Sequence, residues 1–226
     1  MSDSAIHHDL PTIAYVDESE DEQAYFYGDA LDSGFFGQIH LISPEEDLDR
    51  LIAKLADLQI DALVSDFNLS DDRPNAYNGA DVVEAFLVQR RNFPCFIRTS
   101  FDQDAMGSSS DVNRVYSKNA TEEQAVGRDL FKRISIQIEH YRAQIEAWSE
   151  EYDALLALPA GERSALQIER LILLDDALEQ AVAADQALAL TFKRELLNRD
   201  GLFGKQDELF AQAEQLIAAM KDTLEN

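Results

Sequence analysis

The chain has 226 residues, of which 46% are hydrophobic and 28% are charged, a composition typical of a folded globular protein. It contains 19 Lys and Arg residues against 44 Asp and Glu residues, so its formal net charge is −25. The acidic excess occurs in both halves of the chain and repels phosphate backbones and anionic lipids. We therefore expect no nucleic-acid partner and no electrostatic attachment to a membrane.

Cysteine usage and hydropathy indicate a cytoplasmic protein. Cys95 is the only cysteine, which excludes an intramolecular disulfide and a cysteine-based zinc site. Residues 1–10 lack the apolar segment of a signal peptide, and no run of 18 apolar residues occurs in the chain. We therefore expect residues 1–10 to form a flexible tail, and we expect no membrane-spanning segment.

Residues 11–135 alternate short β-rich runs with amphipathic segments. Five segments are predicted to be strands: Thr12–Val16, Gln38–Ser43, Asp61–Ser65, Phe93–Arg98 and Arg114–Ser117. Helices are predicted between them: Ser19–Asp32, a helix from Pro44 with Ser43 as its N-cap, Asn78–Arg91 and a short helix over Asp102–Asp111. This alternation predicts βαβ units, and hence an α/β domain with a five-stranded, parallel, doubly wound sheet.

Residues 136–226 carry helical signals and no strand signal. A long helix is predicted over residues 121–158, with an apolar heptad seam: Ile138, Tyr141, Ile145, Trp148, Tyr152 and Leu155. A breaker at residues 158–161 separates it from a second apolar series, and a third helix is predicted over Gln206–Leu224. We expect an all-α antiparallel helical hairpin or three-helix bundle that continues from the last helix of the α/β domain.

Ligands of parallel α/β sheets gather beyond the carboxyl ends of the strands. The first, third, fourth and fifth predicted strands are followed there by Asp17 and Glu18, Asp66, Thr99, and Lys118. Carboxylates brought together in this way repel one another unless a hard cation joins them, and oxygen ligands with open water positions suit Mg²⁺. A single lysine beside them suits a phosphoryl oxygen.

With these residues in this order, residues 11–135 resemble the receiver domain of two-component response regulators. The resemblance implies a flavodoxin-like fold. It also implies that Asp66 is a phosphoacceptor, which receives a phosphoryl group from a histidine kinase or a phosphotransfer protein. A protein of this kind is a phosphoacceptor in signalling rather than an enzyme.

The resemblance also implies roles for the residues around the phosphoacceptor. The expected ligands of Mg²⁺ are Asp17, Glu18, Asp66 and the backbone carbonyl of Asn68. Thr99 is expected to hydrogen-bond a phosphoryl oxygen, and Lys118 is expected to pair with it.

Several features depart from the family pattern. Asn119 stands where the family usually has a proline, and the segment Phe67–Asn78 is longer than the family's usual loop. Arg98 interrupts a strand that is expected to be buried. Val115 stands at the position of the family's switch aromatic, with Tyr116 beside it. A pseudo-receiver, which has the fold and interacts with proteins without being phosphorylated, therefore remains the alternative.

The predicted output is protein–protein contact through the C-terminal helices, either with a downstream partner or in a homodimer, rather than DNA binding. Tyr141, Trp148 and Tyr152 are the candidate contact surface, and packing between the helices is the alternative interpretation. His140 is expected to be a surface residue rather than a phosphotransfer site. A metal-dependent phosphatase using the same pocket is a further alternative, although no histidine or cysteine is placed to assist it.

Overall fold

The computed structural model describes residues 10–69, 77–100, 107–118 and 125–182. The chain divides into two compact units, residues 1–144 and residues 145–226. In the described residues, the first unit is α/β and the second is helical. None of the helices described is both long enough and apolar enough to cross a membrane.

The first unit is built on one parallel sheet. Its strands are β1 (Thr12–Val16), β2 (Gln38–Ile42), β3 (Ala62–Asp66), β4 (Cys95–Thr99) and β5 (Val115–Ser117). They lie in the order β2-β1-β3-β4-β5, and each neighbouring pair is parallel. This is the flavodoxin-like, doubly wound order, and it confirms the predicted α/β fold class.

Both faces of the sheet are covered, which explains why its strands are apolar runs rather than alternating patterns. In β1, Ala14 and Val16 belong to one hydrophobic cluster, whereas Ile13 and Tyr15 belong to a second cluster on the opposite face. All five residues of β3 are buried. The carboxyl ends of β1 and β3 are therefore held by a closely packed core.

Three helices of the described residues lie between the strands: α1 (Glu20–Ser33), α2 (Leu48–Ala56) and α3 (Gly79–Gln89). The predicted helical stretch Ser19–Asp32 corresponds to α1, which the Ser19 side chain caps and which ends at Gly34 in the left-handed conformation with φ of 72°. The amino end of α3 is closed by a reciprocal capping box between Asn78 and Asp81.

The predicted start of α2, with Ser43 as N-cap and Pro44 at the first position, is wrong. The N-cap is Asp47, whose carboxylate accepts the backbone N–H two residues later. The hydroxyl of Tyr77 donates to the backbone carbonyl of Glu45, so this part of the preceding segment is held outside the helix by a contact from elsewhere in the chain. The local helix-start signal at Pro44 is therefore overridden by tertiary structure.

The connection from β4 to β5 is described only in part. The helix predicted over Asp102–Asp111 falls largely outside the described residues. A 3₁₀ turn, Val112–Arg114, is capped by Asp111 and leads directly into β5.

Helix α4 (Ala125–Leu156) begins in the first unit, where Leu130, Phe131, Ile134 and Ile138 are buried in the cluster that also contains Tyr15. The boundary between the two units falls within this helix. The observed span agrees with the long helix predicted from the heptad seam.

In the second unit, α4 is followed by a 3₁₀ turn (Ala160–Glu162) and by α5 (Ala165–Val182). Arg170 pairs with both carboxylate oxygens of Glu151, at 2.8 and 2.6 Å, and so joins α5 to α4. The Arg163 side chain donates to the carbonyls of Leu156 and Leu158 at the end of α4. The third helix, predicted over Gln206–Leu224, lies outside the described residues.

The candidate contact surface of the seam is smaller than predicted. Tyr141 lies in the first unit and packs edge-on against Phe93, with ring centroids 5.6 Å apart, so it is an internal packing residue. Trp148 and Tyr152 belong to the second unit and are half-buried. The candidate contact surface therefore consists of two half-buried aromatic side chains on α4.

Candidate functional site

The strand ends of the first unit form an acidic pocket. Asp17 directly follows β1, Asp66 and Thr99 end β3 and β4, and Lys118 directly follows β5. Asp17, Asp66 and Thr99 are each at most 4% exposed. The sheet order changes direction at β1, so these residues lie at the switch point where doubly wound folds bind their ligands.

Three carboxylates meet in this pocket. One oxygen from each of Asp17, Glu18 and Asp66 lies within 4.8 Å of the others. Burial raises the pKa of the Asp66 carboxyl to about 6, although Lys118 and the backbone N–H of Asn68 act in the opposite direction. The all-oxygen donor set of this cluster suits a hard divalent cation such as Mg²⁺.

Lys118 brings an ammonium group into the pocket. Its Nζ lies 2.7 Å from Asp66 Oδ1, 3.2 Å from Asp17 Oδ2 and 3.4 Å from Glu22 Oε2. Burial lowers the pKa of Lys118, but the hydrogen bond to Asp66 and the nearby carboxylates outweigh this and raise it. Its backbone N–H donates to the carbonyl of Thr99 at 2.6 Å, which fixes the lysine at the end of β5.

Asp17 is held by a hydrogen-bond network that was not predicted from the sequence. Its Oδ2 accepts a 2.5 Å hydrogen bond from the Tyr15 hydroxyl, and its Oδ1 accepts one from the Ser19 N–H. The Tyr15 ring stacks on Phe26 with ring centroids 3.9 Å apart. Burial and the negative charge of Asp17 raise the pKa of Tyr15, so its hydroxyl stays a proton donor. One sequence signal could have indicated this contact. Tyr15 stands two residues before Asp17, so both side chains point to the same side of the extended chain.

Asp66 is positioned from the side of α3. The Asn68 N–H donates to Asp66 Oδ2 at 3.0 Å, and the Gly79 N–H donates to the Phe67 carbonyl at 2.9 Å. A Cβ on residue 79 would lie 1.9 Å from the Asp66 carbonyl oxygen, so only glycine fits there. The proposed role of the Asn68 carbonyl as a metal ligand stays a prediction.

Two further charged residues, Glu22 and Arg98, lie at the pocket and were not predicted to be part of it. Glu22 lies in the first turn of α1, and its Oε2 is 4.0 Å from Arg98 Nη1 as well as 3.4 Å from Lys118 Nζ. Arg98 pairs in register with Asp66, and its guanidinium lies 5.6 Å from the centre of the Phe26 ring. The arginine in β4 is therefore accommodated by the carboxylate of Glu22 and by the ring of the core residue Phe26.

The structure describes some, but not all, of the other residues that the sequence singled out. Val115 packs on one hydrophobic cluster, and Tyr116 packs on the opposite one beside Phe96, so the aromatic side chain lies on the other face of β5. Asn119 and residues 70–76 lie outside the described residues. His140 is exposed on α4, in agreement with the prediction of a surface residue.

No protein-family model matches the chain, and no curated protein matches it. Solved structures similar to it include the anti-anti-sigma factor PhyR from Bartonella quintana, at 12% identity and a TM-score of 0.46, with 62% of this chain and 51% of PhyR covered. The signal receiver domain of a Luxo repressor protein from Vibrio parahaemolyticus is similar at 15% identity and a TM-score of 0.41, with coverage of 62% and 98%.

RcsB from Salmonella enterica serovar Typhimurium, solved bound to a promoter, is similar at 13% identity and a TM-score of 0.38, with coverage of 83% of this chain and 97% of RcsB. Receiver domains are thus among the structures similar to this chain, as the sequence resemblance predicts. At these identities the similarity concerns the fold alone, so the function has to be inferred from the pocket.

Proposed function

We propose that this chain is a receiver-type signalling protein whose Asp66 accepts a phosphoryl group from a histidine kinase or a phosphotransfer protein. The observation that carries the proposal is the environment of Asp66. Its carboxylate lies 2.7 Å from the Lys118 ammonium and shares a cluster with Asp17 and Glu18 in which the oxygens lie within 4.8 Å of one another. A nucleophilic carboxylate, a metal-binding set and a cation are thus combined in one buried pocket.

Asp17, Glu18 and Asp66, with the backbone carbonyl of Asn68, are the residues that would hold Mg²⁺. Bound there, Mg²⁺ supplies neutralisation of the charge on the phosphoryl oxygens. The donor set fits this ion because all its members are oxygens and because the three carboxylates, of which Asp17 and Asp66 are buried, lie close together. Tyr15 and Ser19 orient the Asp17 carboxylate toward the pocket through their hydrogen bonds.

In the proposed reaction, a carboxylate oxygen of Asp66 attacks the phosphorus of a phosphohistidine in line with the leaving imidazole. The O–P bond forms as the P–N bond breaks, and the imidazole nitrogen keeps the electron pair and takes up a proton. With a pKa of about 6, Asp66 is mostly ionised at neutral pH and is therefore competent as the nucleophile. Lys118 then pairs with a phosphoryl oxygen, and the Thr99 hydroxyl hydrogen-bonds another.

We propose that residues 11–135 form the receiver domain and that residues 136–226 form a helical module. The signal passes from the receiver domain to the helices of this module. The output is contact with a downstream protein or formation of a homodimer. The net charge of −25 supports a protein partner rather than a nucleic acid. Trp148 and Tyr152 are the remaining candidates for that contact.

The test is phosphorylation of the full-length protein by a small phosphodonor such as acetyl phosphate, read by intact mass. We expect a phosphate-sized mass gain in the wild type and in the control variant Asp57→Asn, which changes an exposed aspartate at the end of α2. We expect no gain in Asp66→Asn or in the absence of Mg²⁺. If neither a small phosphodonor nor a phosphohistidine protein modifies the wild type, the pseudo-receiver alternative is favoured.

A further inference from the structure

One carboxylate oxygen in the pocket faces two cations. Glu22 Oε2 lies 3.4 Å from Lys118 Nζ and 4.0 Å from Arg98 Nη1. Glu22 is not a member of the carboxylate cluster that fits a divalent cation, and its side chain is 40% exposed at the rim of the pocket. Glu22 therefore stays available as a partner for Lys118 when a metal ion binds the cluster.

The other partners of Lys118 are the carboxylates that a metal ion would take. Lys118 now contacts Asp66 Oδ1 at 2.7 Å and Asp17 Oδ2 at 3.2 Å, and both residues belong to the metal-binding cluster. A divalent cation at the cluster therefore competes directly with the lysine ammonium. Because the Lys118 side chain is only 12% exposed, its ammonium needs another anionic partner inside the protein when it is displaced.

Arg98 is placed to compete for that partner. Its side chain is 18% exposed, and its Nη1 is buried without a hydrogen bond in the part of the chain that the structure describes. A buried donor without an acceptor is unfavourable, so a closer pair between Arg98 and Glu22 is favourable. The guanidinium lies 5.6 Å from the centre of the Phe26 ring, and its Nη1 lies 4.0 Å from Glu22 Oε2.

Resting on the proposed function of the pocket, we propose that Glu22 is a positioning residue that retains the Lys118 ammonium in the pocket when a divalent cation occupies Asp17 and Asp66. Arg98 opposes this retention because it competes for the same Glu22 carboxylate. The charges agree with this role: four carboxylates and two cations leave two negative charges, which one divalent cation balances.

The test is calorimetric titration of the full-length, unphosphorylated protein with Mg²⁺ alone, at fixed ionic strength. Glu22→Gln removes the alternative partner of Lys118, so displacement of the lysine becomes harder and Mg²⁺ binding is expected to weaken by about threefold to tenfold. Arg98→Met removes the competitor and is expected to tighten Mg²⁺ binding by a similar factor. The matched control is Asp21→Asn, which removes the same charge from an exposed neighbour in the first turn of α1 and is expected to change binding less than twofold.

The opposite signs of the two effects separate positioning from damage to the fold, because a structural defect in either variant weakens binding. The inference is overturned if Glu22→Gln behaves like Asp21→Asn, or if Arg98→Met also weakens Mg²⁺ binding. In those cases the wild type still binds Mg²⁺ and the proposed function stands. If the wild type binds no Mg²⁺, the metal pocket of the proposed function fails, and this inference fails with it.

Discussion

Asp66 is a buried carboxylate whose neighbours act on its pKa in opposite directions. Burial and the charge of Asp17 favour the protonated form, whereas Lys118 and the Asn68 N–H favour the ionised form. Burial is the largest of these effects, and the pKa is raised from 3.8 to about 6. In the absence of a divalent cation, ionisation of Asp66 near neutral pH therefore destabilises the folded state.

This pKa predicts a pH-dependent difference between the wild type and Asp66→Asn. The folded protein binds the Asp66 proton more tightly than the unfolded chain does. The stabilisation that comes from this proton is therefore complete below about pH 4 and is lost as the pH rises through about 6. The shift corresponds to about 3 kcal/mol. Relative to the wild type, the variant is expected to gain about 2–3 kcal/mol of unfolding free energy between pH 4 and pH 7.

Urea denaturation without divalent cations at several pH values measures this difference. Asp57→Asn, an exposed aspartate, serves as the control and should show little change with pH. A difference between Asp66→Asn and wild type that stays constant from pH 4 to pH 7 would show that Asp66 titrates normally in the folded protein.

At the scale of elements, the pocket depends on how closely α3 approaches the end of β3. The N-terminal residue of α3, Gly79, donates its N–H to the Phe67 carbonyl, and its α-carbon faces the carbonyl of Asp66. The capping box of Asn78 and Asp81 begins the helix at this point. The helix and the strand end that carries the candidate phosphoacceptor are thus packed as one unit.

We expect Gly79→Ala to destabilise the protein by about 1–3 kcal/mol or more, because a Cβ at this position would lie 1.9 Å from the Asp66 carbonyl oxygen and backbone must move. The matched control is Gly28→Ala within α1, where a Cβ meets no atom within 4 Å. Helix propensity predicts that this control gains about 0.5–1 kcal/mol. Thermal or urea unfolding of the two variants measures the contrast, and equal effects would rule out the close approach of α3 to Asp66.

At the scale of the whole molecule, the acidic charge limits the kinds of partner that the chain can bind. The described part of the second unit is helical, and its sequence continues the acidic character of the first. The full chain carries 44 acidic side chains against 19 basic ones. Long-range repulsion by this charge opposes the approach of a phosphate backbone.

We therefore expect no binding of duplex DNA by the full-length protein at physiological salt, with or without phosphorylation. Fluorescence anisotropy of a labelled duplex, titrated with protein up to about 10⁻⁴ M, covers the range of ordinary non-specific affinities. Binding in the micromolar range that weakens as salt increases would contradict a protein-only output and would point to a locally basic surface.

The sequence predicted the strands, the fold class and the residue types at the strand ends. It could do so because parallel strands buried on both faces read as continuous apolar runs, and because their carboxyl ends must meet at one edge of the sheet. Asp17, Glu18, Asp66, Thr99 and Lys118 were all identified on this ground. The start of α2 was mispredicted, because the local signal at Pro44 competes with a distant contact to Tyr77.

The other side chains of the pocket became apparent from the folded structure. Tyr15 contacts Asp17, Glu22 contacts Lys118, and Arg98 lies near both Glu22 and the Phe26 ring. The contacts of Glu22 and Arg98 join separate elements and depend on distances of a few ångströms that no spacing within the sequence encodes. The electrostatics of a buried pocket follow from those distances and from burial itself, so the pKa of Asp66 could not be anticipated from its place in the chain.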